Sequence, residues 1–180
     1  MNIERSEMKY FEILIDGYNE EGGVLHAPED WPTPIAVDGE EVKNWQSLVL
    51  ELRDGKYCHF SDCVGCANIV SSEFKALIES FIEKDFPLEF LPVKVKSNQY
   101  GDRVGYIMHF TKEFDIIDEE RSKYGGPLHR VIVVRVDPKK VQGMHVFNCK
   151  GKINHLYVSD DVRKAIIDRN LDLGIEFREA

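Results

Sequence analysis

From Leu128 to Phe177 the pattern of apolar and polar residues runs strand, hairpin, helix, glycine stop and strand, each with its own local signal. Leu128-His129-Arg130-Val131-Ile132-Val133-Val134-Arg135-Val136 is β-branched and mostly apolar, which predicts a strand; Asp137-Pro138 stops it, because proline lacks a ladder donor. Met144–Cys149 and Ile153–Val158 are short apolar runs on either side of Lys150-Gly151, the arrangement of a hairpin. Ser159 then stands where an N-cap hydroxyl accepts an orphan backbone N–H. Asp160 and Asp161 fall in the first turn of the helix that follows and Arg169 in the last, both favourable to the helix dipole. Val162, Ala165 and Ile166 recur at helical spacing, and Gly174 is placed to end the turn before Ile175-Glu176-Phe177.

The same reading applied from the start gives a strand over Lys9–Asp16, closed by Gly17, and then a loop from Tyr18 to Pro34 punctuated by Gly22-Gly23, Pro28, Pro32 and Pro34. Leu48, Val49, Leu50 and Leu52 predict a buried strand, with Asp54-Gly55 as a turn. Ser71–Lys84 carries Phe74, Leu77, Ile78, Phe81 and Ile82 at the i, i+3, i+4, i+7, i+8 positions of one apolar stripe, a helix capped by Ser71 or Ser72. Phe90–Val95 is a strand. Arg103–Thr111 alternates, with Val104, Tyr106, Met108 and Phe110 on one face and His109 on the other. Asp115–Ser122 reads as a short helical turn and Lys123–Pro127 as a loop. No internal repeat is apparent. Strands outnumber helices and segregate from them. The fold class is therefore α+β, a mainly antiparallel sheet with two principal amphipathic helices at about 71–84 and 160–170.

A chain of 180 residues, 43% hydrophobic and 31% charged, suits a single domain with a real core. Its acidic, loop-rich N-terminal part, about 1–43, precedes a more regular part, about 44–178. No apolar run reaches the roughly 18 residues of a membrane span. The N-terminus lacks the basic start and apolar stretch of a signal peptide. A cytoplasmic location is expected, where four cysteines stay as thiols.

Charge is distributed unevenly. Residues 1–90 carry 19 acidic and 7 basic groups, whereas 91–180 carry 13 and 16. Between Lys9 and Lys43 no Lys or Arg occurs, yet Glu12, Asp16, Glu20, Glu21, Glu29, Asp30, Asp38, Glu40 and Glu41 do. Such a field repels nucleic acid and steers a basic partner inward, although acidic loops also simply keep a protein soluble. Trp31-Pro32 sits inside this span. An exposed Trp there would anchor an interface; a Trp beside prolines more often folds over a core edge.

Candidate chemistry is sparse. In Cys58-His59-Phe60-Ser61-Asp62-Cys63-Val64-Gly65-Cys66 the thiols stand at the outline spacing of iron–sulfur ligands, with Cys149 far downstream, and Cys58, His59, Cys63 and Cys66 would equally serve a zinc ion. Neither match is close, and free cysteine is among the most buried residue types; a loop packing its thiols is the default, and no metal is expected. With Lys150-Gly151 as a two-residue turn, His145 opposes Leu156 and His155 opposes Val146, which puts the imidazoles on opposite faces. Asp115 and Asp118 as an acid/base pair compete with a solvated charge run. No phosphate loop, dinucleotide fingerprint, nucleophile elbow or zincin motif is present, so no cofactor is expected.

Several stretches together resemble one bacterial family. They are Asn44-Trp45-Gln46 with Asp54-Gly55, then Ile69 through Ile78, Phe90-Leu91-Pro92-Val93 and Tyr106 through Phe110. Phe114 through Asp118 with Ser122 follow, then Val146-Phe147, then Tyr157 through Ile166 ending at Gly174-Ile175-Glu176-Phe177. From Trp45 to Phe177 the chain is similar to the immunity proteins of family eleven in bacterial polymorphic toxin systems, formerly a domain of unknown function. The resemblance implies an α+β protein that binds and neutralises a cognate toxin encoded beside it, without catalysis. It brings no defined functional residues. If the toxin is basic, as one acting on nucleic acid would be, the expected contact surface is Glu20, Glu21, Glu29, Asp30, Trp31, Asp38, Glu40 and Glu41. Asp115, Asp118, Glu119 and Glu120 come second. Neither nucleic acid nor a membrane is an expected partner. The alternatives are a metal or iron–sulfur protein built on Cys58, Cys63 and Cys66, or a small cytoplasmic enzyme.

Overall fold

The computed structural model describes residues 8–28, 39–62 and 67–180. In chain order its strands are β1 (Tyr10–Ile15), β2 (Leu25–His26), β3 (Val49–Leu52), β4 (Phe60–Asp62) and β5 (Asn68–Ser71), then helix α1 (Ser72–Glu79). After it come β6 (Leu88–Lys96), β7 (Arg103–Phe110), β8 (Lys123–Gly125), β9 (Arg130–Val133), β10 (Val146–Cys149) and β11 (Lys152–Ser159), then α2 (Asp160–Asp168) and β12 (Ile175–Glu179). These form a four-stranded sheet of order β10-β11-β1-β12, a six-stranded sheet of order β2-β3-β6-β7-β5-β4, and the pair β8-β9. Among the described residues every strand pair is antiparallel apart from β3 and β6, which are parallel. The chain is α+β, as the periodicities predict.

The architecture repeats although the sequence shows no repeat. In the six-stranded sheet, hairpin β4–β5 leads into α1 and then β6, and β7 lies between β5 and β6. In the four-stranded sheet, hairpin β10–β11 leads into α2 and then β12, and β1 lies between β11 and β12. Both units thus share strand order, strand directions and helix position; β7 follows in the chain in one, whereas the N-terminal β1 fills the same place in the other. The inner faces and both helices enclose one core: Phe74, Leu77 and Ile78 of α1, Val162 and Ile166 of α2, with Val70, Met108, Ile13 and Val158 from the sheets. A second cluster covers the outer face of the six-stranded sheet (Leu50, Ile69, Leu91, Ile107) and a third that of the four-stranded sheet (Tyr10, Phe147, Cys149, Tyr157).

The helix caps repeat too. Ser71 Oγ accepts from Phe74 N at 3.0 Å and Ser159 Oγ from Val162 N at 3.4 Å, which satisfies donors that a helix start leaves unpaired. Each serine is held by a histidine on the first strand side of its hairpin. Ser71 N donates to His59 O and Ser159 N to His145 O, both at 2.9 Å. The side chains meet as well, His59 Nδ1 2.8 Å from Ser71 Oγ and His145 Nδ1 2.9 Å from Ser159 Oγ.

Several expectations need correction. Helix α1 ends at Glu79, not near Lys84: the Ser80 hydroxyl donates to Leu77 O at 2.6 Å, in place of a continuing backbone ladder. Phe81 and Ile82 still face the core from the turns beyond it. Helix α2 ends at Asp168, so Arg169 is its C-cap, and Asn170 takes the left-handed turn (φ 55°) ahead of Gly174 (φ 78°). The run 128–136 is a strand only over Arg130–Val133; Val134 and Val136 leave it to fill the third cluster. Lys123–Gly125, read as loop, pairs with it as β8. In β7 both faces are buried, because Ile107 lies under the second cluster while Met108 and Phe110 lie in the first. The β10–β11 register matches a two-residue turn at Cys149↔Lys152 but shifts across a bulge to Phe147↔Tyr157 and Val146↔Val158. His145 therefore lies beside Ser159 rather than opposite Leu156.

Candidate functional site

The acidic N-terminal part is built into the sheets. Its strand β1 is the third strand of the four-stranded sheet, and β2 is the edge of the six-stranded one. Between them residues 16–24 form a tight loop whose walls are fixed by backbone hydrogen bonds: Asp16 N to Gly174 O at 2.9 Å, Gly23 N to Lys56 O at 2.7 Å and Lys56 N to Glu21 O at 2.6 Å. This loop bridges the two sheets. The space it frames is a cleft of about 410 Å³, lined by Ile15, Val24, Phe60 and Cys58 and walled by glycines. A Cβ on Gly22 would come 3.0 Å from Cys58 Sγ, and one on Gly174, already at φ 78°, would come 3.2 Å from it. Glycine keeps the cleft open.

Glu20 and Glu21 stand exposed on this loop, and Glu21 pairs with Lys56 at 2.6 Å. The ammonium of Lys56 holds the Glu21 carboxyl below its ordinary range. Glu40 and Glu41 are also exposed but lie elsewhere: Glu40 O accepts from His109 Nε2 at 2.6 Å, and Val42 N donates to Glu89 Oε1 at 3.2 Å. Glu89 is the second residue of β6, whereas Lys56 lies past the end of β3 that pairs with Lys96. At about 3.3 Å per residue the two acidic pairs are roughly 20 Å apart along the sheet. Glu29, Asp30, Trp31 and Asp38 lie outside the described residues. Of the second acidic set, Asp115 pairs with Lys140 at 3.1 Å, and Asp118 Oδ1 accepts from the N–H groups of Glu120 and Arg121, both at 3.1 Å. Asp118 thereby caps the turn that follows it.

The cysteines are divided. Cys58 lines the cleft and Cys149 lies fully buried in the third cluster, where burial pushes its thiol up to about 11. Burial raises the Cys58 thiol as well. Cys63 and Cys66 lie outside the described residues. His59 Nδ1 is engaged by Ser71, and burial holds the imidazole below the usual histidine range. Among the described residues no group of three or more His, Cys, Asp or Glu is placed to hold a metal ion.

One polar array is formed by residues that the sequence pattern does not single out. Glu12, on β1, is only 2% exposed. It faces Tyr157 on β11 and Arg178 on β12 in a single row across the sheet. Arg178 donates to Glu12 Oε2, through Nε at 3.2 Å and again through its terminal nitrogen, while His155 Nδ1 bonds Oε1. Burial alone would raise the Glu12 carboxyl, but these bonds and charges outweigh it and hold it low. The Tyr157 hydroxyl is buried without a hydrogen-bond partner among the described residues. Desolvation and the nearby Glu12 charge keep its proton on. The signal was there: Tyr10-Phe11-Glu12-Ile13-Leu14 places a lone carboxylate at a core position. His145 packs on Phe81 on the helix side of the sheet, while His155 stacks on Tyr157 on the outer side.

These features describe an α+β protein with an apolar cleft beside an acidic loop. Residues 48–180 match the family model described as the Immunity protein family (Imm11). The chain belongs to that family. The match begins after β1 and β2, so the strand that completes the four-stranded sheet lies outside the matched span. No curated protein matches the chain. Among the described residues no helix is long and apolar enough to cross a membrane.

Proposed function

We propose that this protein confers immunity by binding a cognate bacterial toxin in the cytoplasm and blocking it without catalysis. The observation that carries this reading is membership of the Imm11 immunity family over residues 48–180. The toxin is a basic domain encoded by the neighbouring gene, and the acidic N-terminal part supplies the field that draws it in. Residues 10–42 contain no Lys or Arg. Long-range attraction of this kind raises the association rate, while anchors and buried area set the dissociation rate. Asp16, Glu20 and Glu21 form one pole of that field and Glu40 and Glu41 another, with Glu29, Asp30, Trp31 and Asp38 between them in the chain.

The test is rescue. The neighbouring gene is induced in a susceptible host with and without this protein, and survivors are counted; restored growth is expected, and killing that continues regardless overturns the reading. In the purified pair, Glu20→Lys with Glu21→Lys slows association by about tenfold at low salt and hardly at high salt. Equal rates at both ionic strengths would remove these acids from the contact.

A further inference from the structure

We propose that the cleft between the end of the four-stranded sheet and β4 is the seat of the toxin, and that it receives a lysine- or arginine-bearing loop. This inference rests on the immunity reading above and gives it a location.

Three observations meet here. The first is apolar surface left in water. Ile15 is 43% exposed and Val24 53%, both lining the cleft, and Tyr18, between lining residues Gly17 and Asn19, is 96% exposed. Ile15 and Phe60 also line a neighbouring groove that reaches Ile153, itself 82% exposed. Scattered exposed apolar residues need no explanation, but two lining this cleft, a third on its loop and a fourth in the adjoining groove make a patch that marks an interaction surface.

The second is charge. The residues that line the cleft include no Lys or Arg. Asp16, Glu20 and Glu21 stand on the loop that walls it, and the adjoining cation, Lys56, is tied to Glu21 at 2.6 Å. An apolar floor under an acidic rim fits a side chain with an aliphatic stem and a cationic head, which is lysine or arginine. A neutral or acidic partner loop would meet the same floor but gain nothing from the rim.

The third is preorganisation. The loop is pinned to Gly174 on one side and Lys56 on the other by the backbone bonds already described, two of which involve the wall glycines Gly23 and Gly174. A preformed seat loses little entropy on binding. Buried anchors of this type, ringed by polar residues that exclude water, carry most of the energy of a typical interface.

Ile15→Arg with Val24→Arg places two cations on the cleft at positions exposed enough to keep the fold, and Ile132→Arg on β9, 63% exposed, is the control on another surface. Affinity for the toxin domain of the neighbouring gene is measured by calorimetry. The cleft pair is expected to weaken binding at least about 100-fold, and the control to change it less than about threefold. Wild-type affinity in the cleft variant, or a loss confined to the control, overturns the cleft and leaves the immunity reading standing. Absence of binding by the wild-type protein overturns both. Should the cleft variant fail to fold, hydrogen exchange on the wild-type complex decides: protection is expected at residues 15–24 and 58–61, and its absence there overturns the proposal.

Discussion

The two hairpin–helix units have the same backbone plan but close their outer sheet faces differently. Across the six-stranded sheet, Ile69, Ile107 and Leu91 stand side by side. Across the four-stranded sheet the equivalent row is Tyr157, Glu12 and Arg178. All three aliphatic side chains are at most 6% exposed, whereas the polar row buries its carboxylate and leaves the arginine side chain 44% exposed. One unit is sealed by hydrophobic burial; the other holds a buried charge that persists because two partners are in reach. The helix starts, by contrast, are alike, each a serine gripped by the histidine that immediately precedes the neighbouring strand. Capping needs a specific hydroxyl in a specific place, so both units keep it, while a sheet face needs only to be filled and satisfied.

The comparison is broken most severely by moving the charge. Ile107→Glu puts a carboxylate between Ile69 and Leu91 with no cation in its row, and is expected to cost about 4 kcal/mol or more, read as loss of the urea transition or insoluble protein. In the polar row, Arg178→Leu alone should cost about 1–2 kcal/mol, reduced by the arginine's partial exposure. Adding Glu12→Leu removes the stranded carboxylate, and the double variant is expected within about 1 kcal/mol of the wild type by urea denaturation. Acid sharpens the same point. The Glu12 carboxyl is held below its ordinary value of 4.5, so its contribution is present above that pH and is lost as pH falls through the depressed folded value. The double variant should lose that part of the acid dependence in a thermal melt. The smallest effect compares the caps: Ser71→Ala and Ser159→Ala should each cost about 1 kcal/mol, by similar amounts if the two histidine–serine pairs are equivalent. A difference of more than twofold would show that the units use their caps differently.

Much of this was legible in the chain because it is local. A cap at Ser71 or Ser72, of which the structure uses Ser71, the cap at Ser159, the Phe74-Leu77-Ile78 stripe, and the turn at Gly174 follow from spacing a few residues long. The errors came where the deciding contact is distant or a small polar residue intervened. Ser80 stopped α1 early, a bulge in β10 moved His145, and β2 and β8 became strands only because β3 and β9 lie beside them. For the site, the acidic loop was visible as a charge run, but its division into two poles was not. Nor was the cleft, whose lining comes from residues 15–24, 58–61 and 174.

By itself, then, the sequence determined the elements and their faces, since periodicity and capping act within one or two turns of chain. It also carried the family, through motifs that begin helices and turns. Tertiary structure alone decided which strand entered which sheet, and so made Glu12 a partner of Arg178, 166 residues away. It also made one module out of two dissimilar sequences and framed a cleft between them. Those outcomes depend on pairing and burial between distant segments, where many sequences satisfy the same geometry.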